Sequence, residues 1–252
     1  MKNKPLVSFI ISTNSINEYF NNAINSLLEQ DYANIEILIF FDIKNFDISK
    51  NKYYKFKKIK CYTENITGLP YALNYLIKKS KGSFIARMDA DDLAHSSRVS
   101  KQIEFLINNK NIDVVGSNAN LFLNDNGGTY LKNTNLDSTS KNLKFISSYK
   151  TPFIHPSIIA KRSFFIDSGG YDINFKKAQD FELFQRMRFK ANYSNLADCL
   201  IDYRIKKRRL YNIVEYTYLK IKSSFKNYEY FAIILILIEF IYLCIKFFLK
   251  IK

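Results

Sequence analysis

The sequence predicts an α/β protein: a mostly parallel sheet flanked by helices, followed by a C-terminal helical tail. Strand-like and helix-like segments alternate over about the first 115 residues, the pattern of parallel strands joined by right-handed helical crossovers. The 252 residues are 47% hydrophobic and 16% aromatic, which is enough for a large core and excludes an intrinsically disordered chain. With 7 glycines and 4 prolines, the composition also excludes a low-complexity or collagen-like protein.

Residues 6–41 contain the first strand–helix–strand unit. Residues 6–12 (LVSFIIS) are a short β-branched run, typical of a buried parallel strand. Ser15 and Glu18 have the spacing of a capping box, which predicts the start of a helix. The apolar stripe of that helix is Ile16, Phe20, Ala23, Ile24, Leu27 and Leu28. Residues 35–41 (IEILIFF) predict the second strand, and Asp42 follows its end.

Three more strands and two more helices complete the first half of the chain. Strands are predicted at residues 59–62, 83–88 and 114–117. A helix is predicted from Thr67, with Pro70 in its first turn, to Gly82. Residues 98–108 predict another helix, whose inward-facing side chains are Val99, Ile103, Leu106 and Ile107. This order predicts a Rossmann-like, nucleotide-binding half over about residues 1–120.

The second half, about residues 121–205, has a different pattern. Asn126, Gly127 and Gly128 predict a hairpin turn, and the segment that follows to Lys150 is polar and irregular. Further helices are predicted near residues 162–168 and 180–188, and further strands at 193–196 and 200–205. We interpret this half as a mixed lobe that completes a domain of residues 1–205.

Residues 206–252 predict a membrane-associating helical tail. The formal charge of the chain is +15, and eleven bases against three acids place +8 of it in the last 50 residues. After Arg209 a basic amphipathic helix is predicted, with one apolar face of Leu210, Ile213, Val214, Thr217, Tyr218 and Ile221 and lysines on the other. Residues 231–249 are almost wholly apolar, but Glu239 and Lys246 interrupt them. We expect this helix to lie in or dip into a membrane interface; spanning, a core helix or an oligomerisation helix are the alternatives.

The cysteines and the N-terminus indicate a reduced, cytosolic protein. Cys61, Cys199 and Cys244 are odd in number, far apart and without metal-ligand spacing. Residues 1–5 carry two lysines but pass directly into the first strand, without the apolar region of a signal peptide.

An Asp-x-Asp sequence follows the strand predicted at residues 83–88. It places Asp89 and Asp91 at the carboxyl edge of a parallel sheet, where open α/β folds bind ligands. Paired carboxylates suit Mg²⁺ or Mn²⁺ carrying substrate phosphates, although Asp91 or Asp92 can equally open a turn or cap a helix. Neither common glycine-rich phosphate loop is present, so a metal ion is the expected way to neutralise a diphosphate here.

Several motifs together resemble glycosyltransferase family 2, the inverting enzymes of GT-A fold. The resemblance is carried by the stretches VSFIISTNSINEYFNNAINSLLEQDYANIEILIFFD, ENITGLPYALNYLIKKSKGSFIARMDADDLAHSSRVSKQIEFL, IDVVGSNANLF and HPSIIAKRSFFIDSGGYDINFKKAQDFELFQRM. They cover about residues 6–205 in the expected order. Bacterial members that build capsule, O-antigen or other surface polysaccharides are the most similar.

The resemblance implies a nucleotide-sugar site in the first half. Its implied residues are Ser12, Thr13, Asn14, Asp42, Asn65, Gly68, Asn74, Arg87, Asp89 and Asp91. Within that set Asp42 reads the uracil ring, and the aspartates serve the ribose, the metal and the diphosphate. The usual Pro-Thr-Tyr-Asn is here Ser12-Thr13-Asn14, and the usual Asp-Asp-Gly-Ser is reduced to Phe41-Asp42-Ile43-Lys44.

For the second half the resemblance implies the acceptor chemistry. Asp180 matches the catalytic base, with Gln179 in place of the usual glutamate before it. His155 matches a His-Pro element with a metal or acceptor contact, and Arg204 a basic residue near the leaving diphosphate; Asp92 is a further substrate residue. Simpler roles are an N-cap for Asp180, a strand-end turn for Asp42 and a loop position for His155.

The leading hypothesis is a metal-dependent hexosyltransferase that uses Mn²⁺ or Mg²⁺, held by Asp89 and Asp91 with His155. Its expected partners are a nucleotide sugar, UDP-linked on the family pattern, a saccharide or polyprenyl-linked acceptor, and the cytoplasmic face of the plasma membrane. One alternative is an inactive membrane-associated protein of the same fold, because the motifs near Ser12 and Asp42 are eroded. The other is a basic nucleic-acid-binding protein; no recognised binding motif supports it, so we expect no nucleic acid.

Overall fold

A computed structural model describes residues 4–43, 46–50, 52–65, 67–123, 129–205 and 210–249. The strands of these residues are β1 Val7–Thr13, β2 Ile35–Phe41, β3 Ile59–Tyr62, β4 Phe84–Asp89, β5 Leu93–Ala94, β6 Val114–Leu123, β7 Tyr130–Asn133, β8 Ile159–Lys161 and β9 Tyr193–Ile205. The α-helices are α1 Glu18–Leu28, α2 Leu69–Lys79, α3 Arg98–Asn108, α4 Ser140–Ile146, α5 Arg162–Asp167, α6 Gln179–Met187, α7 Leu210–Lys226 and α8 Tyr230–Leu249.

The nine strands of the described chain form one mixed sheet, with the order β3-β2-β1-β4-β8-β6-β9-β5 and β7 paired to β6. β1 pairs in parallel with β2 and β4, and β2 pairs in parallel with β3. β8 is antiparallel to both β4 and β6, which joins the parallel first half to the second. The predicted α/β class with flanking helices is therefore confirmed.

Apolar side chains cover both faces of the sheet. Phe9 and Ile11 of β1 belong to a core shared with α1 and α3, whereas Ile10 belongs to a second core shared with α2 and α6. This alternation is expected for a strand buried on both faces. Both cores together hold the carboxyl ends of the parallel strands in fixed register.

The first helix starts two residues later than a cap at Ser15 requires. Asn17 is the N-cap, and its side chain accepts a hydrogen bond from the Phe20 N–H at 3.0 Å. The Thr13 hydroxyl donates to the Ser15 carbonyl at 2.5 Å, so Ser15 belongs to a tight turn instead. Ile16, predicted on the buried stripe, lies before the helix and is 42% exposed.

Two other details of the first half differ from prediction. α2 ends at Lys79 with Ser80 as its C-cap, so Gly82 does not terminate it. Gly82 is required by close packing, because a Cβ there would lie 2.7 Å from the Leu6 carbonyl oxygen. α3 has the predicted bounds, but Ile107 faces solvent rather than the core.

The second half contains more regular structure than predicted. β6 extends to Leu123, and β7 and α4 lie in the segment predicted to be irregular. The hairpin turn predicted at 126–128 lies outside the described residues. The two strands predicted at 193–196 and 200–205 are one strand, β9, whose register against β6 shifts on either side of Asn118.

The tail forms two helices, and the face of α7 that is buried against the rest of the protein is not its predicted apolar face. Its buried residues are Ile213, Lys220, Ser223 and Ser224, whereas Val214 and Tyr218 are exposed. Among the described residues, one helix is long and apolar enough to cross a membrane by length and composition, namely Tyr230–Leu249, and 11% of its most apolar window is buried. The predicted apolar helix is therefore present, with most of its surface uncovered.

Candidate active site

A cleft of about 510 Å³ opens at the carboxyl ends of the parallel strands. Register brings the contributing positions together: Ser12 of β1 lies opposite Asp89 of β4, and Thr13 lies opposite Phe41 of β2. The cleft is lined by Ser12, Thr13, Asn14, Ser15, Asn17, Tyr19, Asp42, Leu69, Asp89, Ala90 and Asp91. Six of the residues predicted to bind a nucleotide sugar therefore line one cavity.

Asp42 connects two walls of this cleft. Its backbone N–H donates to the Thr13 carbonyl at 2.8 Å, which continues the β1–β2 pairing past the strand ends. Its Oδ2 accepts from the Gly68 N–H at 3.0 Å, just before α2. Gly68 has φ +119°, a conformation that favours glycine. These two hydrogen bonds therefore hold Asp42 in the cleft wall between the end of β2 and the start of α2.

Three carboxylates follow β4 as a compact cluster. One oxygen each from Asp89, Asp91 and Asp92 lies within 4.8 Å of the others. Asp92 is fully buried; its Oδ1 accepts from the Arg204 N–H at 2.7 Å, but its Oδ2 has no hydrogen-bond partner among the described residues. Burial, then the charge of Asp89, raises the pKa of Asp92. An unpartnered buried carboxylate oxygen beside two others fits a divalent cation, so the acidic cluster can hold one.

Two buried arginines lie behind the acidic cluster. Arg87, 3% exposed, forms an ion pair with Asp89, while its Nε and Nη1 have no partner within the described part of the chain. Burial tends to lower the pKa of Arg87, but Asp89 outweighs it and the pKa is raised. Arg98 donates to the Arg87 carbonyl oxygen at 2.9 Å, and burial lowers its pKa to about 9. Sequence reasoning missed Arg98, since its position at the start of α3 gives no sign of burial.

Arg204 links β9 to the acidic cluster. Its guanidinium lies 4.0 Å from the Tyr19 ring centroid and 4.4 Å from that of Phe122, and its Nε donates to the Asp91 carbonyl at 3.0 Å. Such stacking restricts a flexible side chain to one place. The arginine predicted beside a leaving diphosphate therefore holds the backbone of the cluster.

Asp180 is the second residue of α6. Ala178, with φ 56°, is the N-cap, so the N-cap role considered for Asp180 is wrong. The Thr151 hydroxyl contacts Asp180 Oδ2 at 3.4 Å. Burial raises the pKa of Asp180, against the opposing effects of backbone N–H groups and Arg87, although the residue retains some solvent exposure. A partly accessible carboxyl with a raised pKa has the properties of a general base.

Asp180 and Asp89 of the acidic cluster act on the same two tyrosine hydroxyls. The charges of both Asp89 and Asp180 act on the buried hydroxyls of Tyr171 and Tyr203, and burial raises the pKa of each hydroxyl. Gln179, which begins α6, is buried beside Asp180. Asp180, from the second half of the sequence, is not part of the cleft lining, but its charge reaches the same tyrosines as that of Asp89.

Three of the residues implied by the resemblance have other surroundings. The Asn74 side-chain amide donates to the Tyr171 carbonyl and accepts from the Tyr171 N–H. Asn65 is exposed and is not part of the cleft lining. The buried His155 ring shares a hydrogen bond with the Tyr171 hydroxyl at 2.8 Å and is not part of the acidic cluster. Burial, with the charge of Arg87, lowers the pKa of His155 well below its usual value.

Sequence reasoning also left out several residues of the cleft wall. Ser15, Asn17 and Tyr19 lie in or just after the β1–α1 loop, and Leu69 begins α2. These positions, directly after a strand or at the start of a helix, could have been predicted from the sequence as part of the cleft wall. Asp92 was predicted to contact substrate, whereas its geometry makes it the third member of the acidic cluster.

Comparison with known proteins agrees with this geometry. Residues 8–169 match the family model described as glycosyl transferase family 2. The chain is 31% identical over 207 residues to the Escherichia coli "O-antigen biosynthesis glycosyltransferase WbnJ". This alignment covers 79% of this chain and 80% of the relative. It is 28% identical over 245 residues to a glycosyltransferase of Methanocaldococcus jannaschii, covering 91% of this chain and 82% of that one.

Solved structures of S. aureus TarS have the same GT-A fold. The chain superposes on TarS residues 1–349 in complex with UDP with a TM-score of 0.64 at 19% identity, over 86% of this chain and 65% of that one. The corresponding TarS complex with UDP-GlcNAc gives a TM-score of 0.60 at 20% identity, over 86% and 66%. This chain spans about two thirds of the TarS segment. The family model matches more than half of the chain, the E. coli relative is covered along most of its length, and the fold is shared. The protein therefore belongs to glycosyltransferase family 2.

Proposed function

We propose that the protein transfers a sugar from a UDP-sugar to a hydroxyl of a lipid-linked saccharide, with inversion at the anomeric carbon. The observation that carries this proposal is the acidic cluster at the strand-end cleft, together with Asp180, whose charge acts on the same Tyr171 hydroxyl as that of Asp89. The solved TarS complexes contain UDP and UDP-GlcNAc, and the E. coli relative is named for O-antigen biosynthesis. These names support a UDP-linked donor and a surface-polysaccharide acceptor.

The strand-end cleft provides the nucleotide site in this proposal. Its volume of about 510 Å³ falls within the range of small-molecule sites. In this proposal Asp42, held by the Gly68 N–H, accepts hydrogen bonds from the uracil edge, and the hydroxyls and amides of the β1–α1 loop bind the ribose. The backbone bonds that fix Asp42 reduce the ordering cost of binding.

Asp89, Asp91 and Asp92 would hold Mn²⁺ or Mg²⁺ next to the diphosphate. A divalent cation there stabilises negative charge on the leaving phosphate oxygens. Arg87 has guanidinium nitrogens without a partner among the described residues, and it anchors Asp89 from behind. The Arg204 backbone N–H holds the Asp92 carboxylate, and its Nε holds the Asp91 backbone carbonyl.

Asp180 acts as the general base. The acceptor oxygen forms a bond to the anomeric carbon while the bond from that carbon to the diphosphate oxygen breaks. The acceptor proton passes to the Asp180 carboxylate, and the electron pair of the broken bond leaves on UDP. Attack opposite the leaving group inverts the configuration, and a positioned base contributes about 10²- to 10⁴-fold in rate.

The exposed surface of α8 supports an active site at the cytoplasmic face of the plasma membrane. The side chains of Phe231, Ile234, Ile238, Ile241 and Phe248 are between 55% and 70% exposed. An apolar surface of this kind is stabilised by burial in the acyl-chain boundary of a bilayer. A polyprenyl-linked acceptor would then reach the enzyme by lateral diffusion.

UDP release from a panel of UDP-glucose, UDP-galactose, UDP-GlcNAc and UDP-GalNAc tests the proposal, with Mn²⁺ and a polyprenyl-linked saccharide present. We expect one donor to be preferred, and Asp91→Ala and Asp180→Asn each to lower kcat by at least 100-fold. Asp198→Ala, an exposed carboxylate paired with Lys101 away from the cleft lining, is the matched control. Equal rates for the wild type and all three variants would refute the assigned roles.

A further inference from the structure

α7 is packed tightly against α6, the helix that carries Asp180. Gln185 of α6 donates to the Ser224 hydroxyl at 2.9 Å and accepts from the Ser223 hydroxyl at 2.6 Å, and all three residues are buried. Arg188 pairs with Glu229 at 2.5 Å at the far end of this interface. The first tail helix therefore has a fixed position relative to Asp180.

Two side chains of α7 lie close to the start of α6, and the first is Tyr216. Its hydroxyl lies 3.2 Å from the Thr151 hydroxyl, which contacts Asp180 Oδ2 at 3.4 Å. An ionised carboxylate can only accept, so Thr151 donates its single proton to Asp180 and accepts from Tyr216. The three groups therefore form a directed chain from α7 to the carboxylate.

The second is Lys220, one turn further along α7 and 4% exposed. Its ammonium lies 5.4 Å from the ring centroid of Phe181, the residue after Asp180, and 5.8 Å from that of Tyr216. It forms an ion pair with Glu239 of α8. Burial lowers the pKa of Lys220 and the charge of Lys150 acts in the same direction, while Glu239 and, less strongly, Asp180 act in the opposite direction. Glu239, which interrupts the apolar helix in sequence, is thus neutralised by a lysine from the preceding helix.

We propose that Lys220, held by Glu239, and Tyr216, acting through Thr151, are positioning residues for the Asp180 carboxylate. The tail is then part of the catalytic apparatus as well as an apolar surface. Lys220 lies beside the rings of Phe181 and Tyr216, the two side chains that flank this contact. A buried cation there favours the ionised form of Asp180, and the ion pair with Glu239 keeps that cation in a desolvated place. This inference rests on the proposed role of Asp180 as the base.

The groups that face Asp180 come from four elements. Arg87 belongs to β4, Tyr203 to β9 and Lys220 to α7, while Tyr171 lies between α5 and α6. Of these, Arg87 and Lys220 are cations, and removal of either would disfavour the Asp180 carboxylate. Lys150, next to Thr151, is a further cation, and its charge acts on Lys220. Lys220 is the one that leaves the nucleotide cleft untouched when it is changed.

Lys220→Met and Lys220→Arg test the proposal in the assay with the preferred donor. For Lys220→Met we expect kcat to fall about 10-fold or more with donor KM within twofold, and the acid limb of the kcat profile to move up by about half a pH unit. Lys220→Arg keeps the charge and should retain most of the rate. The control is Arg188→Met, which removes an α6–tail ion pair remote from Asp180 and should lower the melting temperature without moving the acid limb.

The exchanged pair Lys220→Glu/Glu239→Lys separates positioning from simple stability. It restores an ion pair between α7 and α8, so the melting temperature should recover relative to the single variants. The rate should not recover, because an anion then lies near Asp180. Recovery of the rate together with stability would overturn the proposal, as would an unmoved acid limb in Lys220→Met.

A measurement without substrate keeps the two proposals distinguishable. Titration of the Asp180 carboxyl followed by carbon-13 NMR should give a higher pKa in Lys220→Met than in the wild type, and equal values would overturn the inference. If Asp180→Asn retains the wild-type kcat, the assignment of the base fails instead, whatever the Lys220 variants do.

Discussion

Asn74 and Tyr171 exchange two hydrogen bonds across 97 positions of sequence. The Asn74 Nδ2 donates to the Tyr171 carbonyl at 2.7 Å, and the Tyr171 N–H donates to Asn74 Oδ1 at 2.8 Å. Gly170, with φ +78°, precedes this contact, and a Cβ on it would lie 2.4 Å from Asn74 Oδ1. The amide therefore fastens α2 to the turn that carries the partner of His155.

Replacing Asn74 by alanine should lower the free energy of unfolding by about 1 to 3 kcal/mol. Both bonds disappear and two backbone groups of Tyr171 lose their partners. Urea unfolding measures the loss, and UDP affinity measured by calorimetry should stay within threefold. Asn65→Ala, at an exposed position, is the control and should change stability by less than about 0.5 kcal/mol. A tenfold loss of UDP affinity at unchanged stability would show that Asn74 contacts the nucleotide after all.

The nucleotide half was predictable because its determinants are local. β2, β3 and α3 have the predicted bounds, since an apolar run or a 3.6-residue period fixes each of them. The same parallel order places Ser12, Asp42 and Asp89 at one edge, so the cleft follows from the order of elements. The register against neighbouring strands then decides which of the predicted residues line it.

The remaining site residues depend on contacts between distant parts of the chain. The α7 period predicted an apolar face that includes Val214 and Tyr218, but the residues of α7 that are buried include Lys220, Ser223 and Ser224. Hydrogen bonds to Gln185 and the ion pair with Glu239 compensate the buried polar groups. Residue periodicity carries no information about such partners, and the same holds for the hydrogen bonds of Asn74 and His155.

Removal of divalent cations should abolish transfer, and Mn²⁺ should stabilise the protein. A ligand at 100 times its dissociation constant adds about 2.7 kcal/mol to the free energy of unfolding. Melting temperature in EDTA and with increasing Mn²⁺ measures this, with Asp92→Asn as the test variant. We expect Asp92→Asn to be at least as stable as the wild type in EDTA, because its buried Oδ2 has no partner in the described chain, and to gain little from Mn²⁺.

The pair of Asp202 with His95, near the sheet edge, provides the control for the metal experiment. Asp202→Asn removes a charge that His95 and Asn120 already satisfy, outside the acidic cluster. Its response to Mn²⁺ should equal that of the wild type. A full Mn²⁺ response in Asp92→Asn, with a reduced one in Asp202→Asn, would place the cation elsewhere.

His155 should make the folded protein less stable as the pH falls below about 6.5. Burial holds the pKa of His155 well below its usual value, so the unfolded chain binds the proton first. Above the pKa of His155 in the unfolded chain, its neutral ring contributes its full stabilisation. As the pH falls from there toward the pKa in the folded protein, the free energy of unfolding decreases by up to about 1.4 kcal/mol per pH unit. Urea unfolding at pH 7.0 and 5.5 measures the loss, and His155→Gln should reduce it. An identical pH dependence in wild type and His155→Gln would contradict the prediction.

Charges on the outer face of α8 should release the protein from membranes. Ile234, Ile238 and Ile241 are each at least 55% exposed, and a carboxylate at such a position costs up to about 3 kcal/mol in a bilayer. We expect the triple change to glutamate to move the protein to the soluble fraction of a membrane flotation assay. This leaves α7 and its contacts with α6 intact, which a deletion after Arg209 would not. The matched control changes three exposed isoleucines of the α/β region, Ile107, Ile166 and Ile173, to glutamate and should still float. If the α8 variant floats as well, and light scattering shows that it has changed from dimer to monomer, the apolar face is an interface between two copies and the membrane prediction is wrong.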